Sequence, residues 1–294
     1  MANLKEVRVR IKSVSSTQQI TKAMKLVSAT KLRRAQTAIM QMRPYAQKLQ
    51  GIMQNVGDNI DSPELKSYFS QRKVQKILLV VITSDRGLCG GFNANVGKMG
   101  RALITEKYKD IADAGKLDMM FIGKKGQEFF NKYKYIKQIT NFRDLFQNLN
   151  SDGAFAAAEW ILEAFANKEY DVVEILYNGF KNAATQILTD EQMLPVAKAK
   201  SDSNAASKND YIFEPDKTEI LEDLIPRSLK TQLYKACLES FAAEHGARMI
   251  SMDKATDNAG ELINELKLQY NQARQASITK ELSEIVGGAA AMAS

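Results

Sequence analysis

The sequence predicts an α/β layered domain in the middle of the chain and a long helix at each end, the two helices forming an antiparallel coiled coil. Residues 4–43 contain neither Gly nor Pro, and residues 227–286 contain no Pro. Between them, apolar strand patterns alternate with helical patterns, as in layered α/β domains. Two helices whose inner ends join one domain run antiparallel. We therefore expect a helix at 1–57, an α/β domain at 58–215 and a helix at 216–294.

The N-terminal helix has the three- and four-residue spacing of a coiled-coil seam. The seam positions are Leu4, Val7, Ile11, Val14, Gln18, Thr21, Lys25, Ser28, Leu32, Ala35, Ile39 and Met42. Its middle is polar, and Ile20, Met24 and Val27 form an apolar stripe beside it. This indicates a local shift of the supercoil or a change of partner, and we expect another molecule to contact the polar zone. Pro44 should kink or interrupt the helix, and residues 51–63 should end it.

The middle of the chain predicts a Rossmann-like α/β domain. Residues 76–83 are a nearly continuous run of β-branched residues and leucine, typical of a strand buried on both faces of a parallel sheet. Further strands are predicted at 118–123, 134–139, 171–177 and 185–194, and helices at 94–108, 124–132 and 151–168. Residues 198–210 predict a polar loop. The acidic residues at 214–216 suit the start of the last helix.

The C-terminal helix is predicted to be longer than its partner. Its apolar seam is formed by Ala255, Ala259, Leu262, Leu266, Ala273 and Ala276, and continues through Ile278, Leu282 and Ile285. A helix over 226–286 spans roughly 90 Å, whereas a compact chain of this length is only about 50 Å across. Because the N-terminal helix is shorter, its pairing with the C-terminal helix should end near residues 262–270 of the latter. The remaining apolar tip, formed by Ile278, Leu282, Ile285 and Val286, predicts enclosure by another protein.

The N-terminal helix is strongly basic. Residues 1–50 hold eleven Lys and Arg against one acid, Glu6, in a chain of net charge +7. We expect this helix to bind an acidic partner, and nucleic acid, anionic lipid and an acidic protein face are the three candidates. Residues 1–43 contain no Phe, Tyr or Trp, which argues against single-strand binding but leaves duplex binding open. Four acids of the C-terminal helix are expected to pair with the basic helix: Asp253, Asp257, Glu261 and Glu265.

The sequence contains no catalytic, cofactor or metal-binding constellation that we can identify. His245 is the single histidine and is expected to pack or to face solvent, and the two cysteines are Cys89 and Cys237. Residues 87–91 form a glycine-rich stretch after the first strand, which suits a phosphate-binding turn but more simply a tight turn with a small buried Cys89. No apolar run reaches the roughly 20 residues of a transmembrane helix. The sequence start lacks the pattern of a signal peptide, which predicts a cytoplasmic chain.

Four segments, in the right order, closely resemble the gamma subunit family of bacterial F-type ATP synthases: 15–27, 85–91, 252–258 and 270–279. The resemblance implies a coiled coil that turns inside a ring of alpha and beta subunits, and an α/β domain that holds the epsilon subunit and the proton-driven c ring. It also implies a chain without catalysis, cofactor or metal of its own, peripheral to the cytoplasmic face of the inner membrane. It implies no nucleic-acid partner and no membrane insertion.

The same resemblance assigns the contact residues. These are Met24, Lys25, Arg274, Gln275, Thr279, Ile278, Leu282, Ile285 and Val286. The first two would lie near an acidic lever of a beta subunit, the next three at the catch loops of the ring, and the last four would form an apolar bearing. No inserted cysteine pair of the kind used for thiol control is present. The alternative is a basic coiled-coil protein that binds nucleic acid, with steeply salt-dependent binding to duplex.

Overall fold

A computed structural model describes residues 4–56, 63–196 and 217–293. The chain forms two compact units, one of Met1–Ser28 with Met249–Ser294 and one of Ala29–Arg248. Helix α1 (Leu4–Val56) and helix α7 (Lys217–Ala293) each contribute to both units. The predicted loop at 198–210 and the predicted helix start at 214–216 lie outside the described residues.

In the first unit, α1 and α7 pack against each other in antiparallel directions. The Arg8 guanidinium lies 6.0 Å from the centre of the Tyr270 ring. Further along α1, Lys25 forms an ion pair with Asp253. Because the residue number on α7 falls as the residue number on α1 rises, the two helices run antiparallel. Every predicted seam position of this part of α1 is buried or half-buried, so the predicted antiparallel coiled coil is confirmed.

The predicted shift of the seam in the polar zone is wrong. Ile20 and Val27 are 59% and 57% exposed, whereas Thr21 is buried. The seam keeps its phase because its polar residues find partners across the coil. The hydroxyls of Thr21 and Thr256 are 2.8 Å apart, and the Gln18 side-chain amide donates to the Thr256 carbonyl at 3.3 Å. Satisfied polar pairs in a seam fix its register at some cost in stability.

Pairing in the first unit ends where the sequence predicts. Among the residues of α7 whose burial the structure describes, Leu266 is the last buried one, and residues 278–289 are all exposed. Ala276 is exposed as well, so the seam does not extend to it. The predicted interruption at Pro44 is wrong, because α1 continues through it, as α7 does through Pro226. A proline removes one backbone hydrogen bond, which packing of the flanking turns outweighs.

The second unit contains a five-stranded sheet in the order β3-β2-β1-β4-β5. Its strands are β1 (Ile77–Ile82), β2 (Leu117–Ile122), β3 (Lys137–Ile139), β4 (Val172–Phe180) and β5 (Gln186–Leu194). The first four are parallel, and β5 runs antiparallel to β4 at one edge. All six residues of β1 are buried, as expected for a central strand covered on both faces. All five predicted strands are thus present, with β3 shorter and β4 longer than expected.

Helices cover both faces of the sheet. They are α2 (Pro63–Phe69), α3 (Phe92–Ala102), α4 (Lys109–Asp113), α5 (Lys124–Phe130) and α6 (Ser151–Ala166), with a 3-10 turn at Leu145–Asn148. Leu78, Val80 and Ile82 face the core shared with α2, α6 and α7. Ile77 and Val81 face the opposite core, with α3, α4 and α5. This alternation gives the three-layer α/β architecture that the sequence predicts.

The predicted helix over 94–108 begins at Phe92 and is interrupted by a π-helical turn at Leu103–Lys107. The turn places the Lys107 ammonium 2.5 Å from a carboxylate oxygen of Glu174, and the Tyr108 hydroxyl donates to the same oxygen at 2.5 Å. Glu174 lies on β4 and is buried. A buried carboxylate requires donors, and burial, with the Glu174 bond, raises the pKa of Tyr108 to about 12. The extra residue of the π turn therefore brings two donors to the buried carboxylate of Glu174, which local sequence patterns do not reveal.

Gly123 at the end of β2 is expected to tolerate no side chain. Its φ is +99°, and a Cβ there would lie 2.0 Å from the carbonyl oxygen of Thr83. Gly115 also has a positive φ, +69°, but a Cβ there would meet no atom within 4 Å. We expect Gly123→Ala to lower the free energy of unfolding by about 2–4 kcal/mol, because the clash adds to the cost of the positive φ. Gly115→Ala should lower it by only about 1–2 kcal/mol, the cost of the positive φ without a clash.

Urea unfolding followed by the fluorescence of Trp160, which packs against the core of the second unit, measures both losses. Equal losses at the two glycines would contradict the predicted clash at Gly123.

Candidate functional site

The glycine-rich stretch forms a tight turn at the carboxyl end of β1, and we call residues 84–91 the β1 turn. The neighbours of β1 are β2 and β4, so the strand order reverses beside it. Open parallel sheets bind ligands in the crevice at such a reversal. Leu88 and Gly90 adopt positive φ angles of 63° and 60°, and the Asn93 side chain closes the turn by accepting from the Ser84 amide at 3.0 Å.

Side chains of α7 contact the β1 turn. The Arg248 guanidinium donates to the carbonyl oxygens of Arg86 and Gly87 at 3.0 and 3.2 Å. Cys89, together with Phe92, packs against buried Ala243 of α7. The turn thus binds its own chain, and the prediction of a tight turn with a small buried Cys89 is confirmed.

Neither thiol has the environment of a reactive cysteine. Cys89 is buried, as predicted, and burial raises its pKa. Its sulfur accepts from the Asn93 amide at 3.3 Å. Burial also raises the pKa of Cys237 to about 12. Among the described residues, no group of three or more His, Cys, Asp or Glu is placed to hold a metal ion, and no described helix is long and apolar enough to cross a membrane.

His245 packs inside the second unit, which is one of the two predicted outcomes. Its ring meets that of Phe241 edge-on at 4.4 Å, and its Nε2 is buried without a hydrogen-bond partner among the described residues. Burial, with the positive charges of Arg248 and Lys31 beside it, lowers the pKa of His245 to about 3. Glu244 is the nearby acid, and it pairs with Arg248.

This low pKa predicts that acid destabilises the second unit through His245. The unfolded chain takes up a proton at this histidine below about pH 6.5, whereas the folded chain does so only near pH 3. Stability is therefore lost as the pH falls from 6.5 towards 3, by about 1–2 kcal/mol at pH 5.5 relative to pH 7.5.

Urea unfolding followed at Trp160 in His245→Phe isolates this effect, since the chain has one histidine. An equal pH dependence in the variant and the parent would contradict the assignment.

In the first unit, the polar zone of the coil combines charge with exposed apolar surface. The Lys25 and Asp253 side chains are 39% and 48% exposed although they pair. Met24 is half-buried beside them, and Ile20 and Val27 are exposed. Of the predicted acidic row, Asp253 pairs with the basic helix, and the other three acids, Asp257, Glu261 and Glu265, are exposed.

The other predicted contact residues also lie in the first unit, on the part of α7 beyond its last buried residue. Arg274, Gln275 and Thr279 are exposed. The four tip residues, Ile278, Leu282, Ile285 and Val286, are between 45% and 68% exposed. The nine predicted residues therefore form two groups, one in the polar zone of the coil and one at the end of α7. The sequence did not indicate Leu88, which is exposed on the β1 turn, or the hydrogen bonds of Arg248 to that turn.

Fold and surfaces together define the class of protein: a chain that combines a long antiparallel coiled coil with an α/β unit and exposes basic and apolar helix faces. A sequence model of the ATP synthase family matches residues 3–292. The chain is 53% identical over 294 residues to an ATP synthase gamma chain of Cytophaga hutchinsonii, and 54% identical over 295 residues to that of Flavobacterium johnsoniae. Each alignment covers 99% of both chains. The chain belongs to the ATP synthase gamma chain family.

Solved structures share this fold. A chain of the Euglena gracilis mitochondrial ATP synthase, in a structure described as OSCP/F1/c-ring, aligns with a TM-score of 0.68 at 24% identity, over 98% of this chain and 94% of that one. A second Euglena gracilis structure, described as the rotor, aligns at 0.64 and 23% identity, over 94% and 98%. The family assignment favours the rotor interpretation over nucleic-acid binding.

Proposed function

We propose that this chain is the central rotor shaft of a proton-driven ATP synthase and has no catalytic activity of its own. The observation that carries the proposal is the identity of 53–54% to ATP synthase gamma chains over 99% of both chains. Rotation of the membrane ring would turn the chain inside the alpha and beta subunits. Because an asymmetric coil contacts each beta subunit differently, each rotational position favours a different conformation of each catalytic site.

The lower contact with the ring is the polar zone of the coil. Met24 and Lys25 would meet an acidic lever of a beta subunit. The partial exposure of the Lys25 side chain supports this role, since pairing with Asp253 leaves part of the ammonium group's surroundings open to a second acid. Exposed Ile20 adds apolar surface beside the charge.

The upper contact is the end of α7. Arg274, Gln275 and Thr279 would meet the catch loops of the ring, with polar groups suited to hydrogen bonds. The tip residues Ile278, Leu282, Ile285 and Val286 would form an apolar bearing. The exposed apolar stripe that these four residues form on the helix supports that role.

The remaining partners would be the epsilon subunit and the c ring, both held by the α/β domain. We propose the organisation 1–57, 58–215 and 216–294 for the coil helix, the α/β domain and the second coil helix. The chain would be peripheral, at the cytoplasmic face of the inner membrane.

Co-purification tests the proposal directly. The tagged chain is expressed in its native host, and its partners are identified and quantified by mass spectrometry at low and at high salt. We expect alpha, beta and epsilon subunits, with three alpha–beta pairs per copy of this chain. Recovery of nucleic acid without these subunits, released as the salt concentration rises, would contradict the proposal and support the duplex-binding alternative.

A further inference from the structure

We infer that the second unit binds a small organic cation with an apolar body, such as an arylalkylamine, in a cavity between α1, β5 and α7. The cavity has a volume of about 620 Å³, within the range of about 300–1,000 Å³ that is usual for small-molecule sites. The residues that line it all belong to the second unit. Such a site is additional to the proposed rotor function and does not depend on it.

Part of the cavity lining is apolar. Ile39, Met42 and Leu49 of α1 line it, at the spacing that places them on one face of the helix. Met193 of β5 and Leu229 of α7 complete this part of the lining. Apolar lining of a cavity that is large enough for a ligand favours a ligand with an apolar body, which removes that surface from water.

The cavity lining also contains a carboxylate without a partner. Glu239 of α7 lines the cavity and is half-buried. Among the described residues, no hydrogen bond and no ion pair reaches its side chain. Burial raises the pKa of Glu239, because the charged form loses water and gains no donor in exchange. The ammonium group of a ligand would supply that donor with a charge-assisted hydrogen bond.

The other two acids of the lining have partners within the chain. Glu191 accepts from the Gln232 side-chain amide at 2.7 Å through one oxygen, and from the Tyr177 hydroxyl at 2.9 Å through the other. Asp190 pairs with the lysine of the π-helical turn. Within the described part of the chain, Glu239 is therefore the acid of this cavity that is left for a ligand.

The two cations of the lining, Arg43 and Lys235, do not satisfy Glu239. Neither forms an ion pair with a described acid. Their positive charges only partly offset the effect of burial on the pKa of Glu239. Arg43 is exposed and keeps its hydration without a partner, whereas a half-buried carboxylate does not. With three acids against two cations, the lining is negative in sum, which favours a positive ligand over an anion.

Isothermal titration calorimetry of the full chain at neutral pH tests the class of ligand. The probes are phenylbutylamine, which is a cation at this pH, and phenylbutanol, which has the same apolar body without the charge. We expect the parent to bind the amine about tenfold more tightly than the alcohol. Glu239→Gln should remove this preference. Asp223→Asn, which changes an exposed acid of the same helix, should keep it.

Equal affinities of the parent for the two probes, or no binding of either, would overturn the assignment of the cavity as a cation site. An amine preference that persists in Glu239→Gln would overturn the role of this carboxylate.

NMR of methionine methyl groups tests the location. Met42 and Met193 line the cavity, whereas Met119 and Met120 are buried in β2. In the full chain labelled with ¹³C at these methyl groups, the amine should shift the signals of Met42 and Met193 and leave those of β2 unchanged. Ala46→Phe, which adds a ring to the cavity lining, should weaken binding of both probes about tenfold, with circular dichroism as the check on folding. Binding that shifts neither Met42 nor Met193 would overturn the cavity as the site.

Discussion

Removal of residues 278–294 is expected to weaken binding of the chain to the alpha–beta ring by about 10²–10³-fold, without a change in the stability of the second unit. The deletion removes Ile278, Leu282, Ile285 and Val286, which are 45–68% exposed in the isolated chain. Enclosing the exposed part of each would contribute about 1 kcal/mol, hence roughly 3–4 kcal/mol in all. These residues contribute nothing to the core that Trp160 reports.

The dissociation constant of the labelled chain from the purified ring measures this loss. A variant with Gln at the same four positions removes the apolar contacts but keeps the length of the helix, and so distinguishes the two effects of the deletion. The matched control is Lys280→Gln with Glu284→Gln, which removes an exposed ion pair from the same segment. An unchanged dissociation constant in the four-position variant would mean that the tip is not a bearing, whatever the deletion does.

Lys25→Glu is expected to lower coupled ATP synthesis at least tenfold, while the coil loses little stability. The ion pair of Lys25 with Asp253 is partly exposed on both sides, and such pairs contribute about 0.2–1 kcal/mol. Repulsion between two adjacent acids costs a similar amount. A large loss of synthesis would therefore come from the partner, where a negative charge would replace a positive one beside the acidic lever.

Asp253→Asn is the matched control, because it breaks the same intrachain ion pair and keeps the Lys25 charge. We expect it to retain most of the synthesis rate of the parent. Equal losses of synthesis in Lys25→Glu and Asp253→Asn would show that Lys25 acts within the coil and not on a beta subunit. Urea unfolding of both variants checks that their stabilities are similar.

The periodic parts of this fold could be predicted from the sequence, because the physical signal is local. The buried strand β1 and the three- and four-residue seam of α1 follow from spacing alone. The phase of the seam in its polar zone could not be predicted that way. By spacing alone, apolar Ile20 and Val27 compete with polar Thr21 for the buried positions, and the outcome depends on a hydroxyl of Thr256, more than two hundred residues away.

Features that depend on tertiary partners escaped the sequence. The π-helical turn before Tyr108 has its reason in Glu174, a carboxylate buried on another strand. The β1 turn has the composition of a ligand loop, and only the fold places Arg248 against it. Helix lengths and the seam pattern predicted that another protein meets the apolar tip and the polar zone. The partner of each contact residue was assigned by resemblance, since an exposed side chain on a helix has no local pattern that identifies its partner.

Rotation of single molecules tests whether this chain turns as the shaft. The alpha–beta ring is fixed to a surface, and a bead is attached to the chain through a cysteine introduced at exposed Lys109 in the second unit. If this chain is the shaft, ATP drives continuous rotation of the bead in one direction, and rotation stops when ATP hydrolysis is inhibited. Hydrolysis of ATP by the complex while the bead only diffuses about a fixed angle would contradict the assignment of this chain as the shaft.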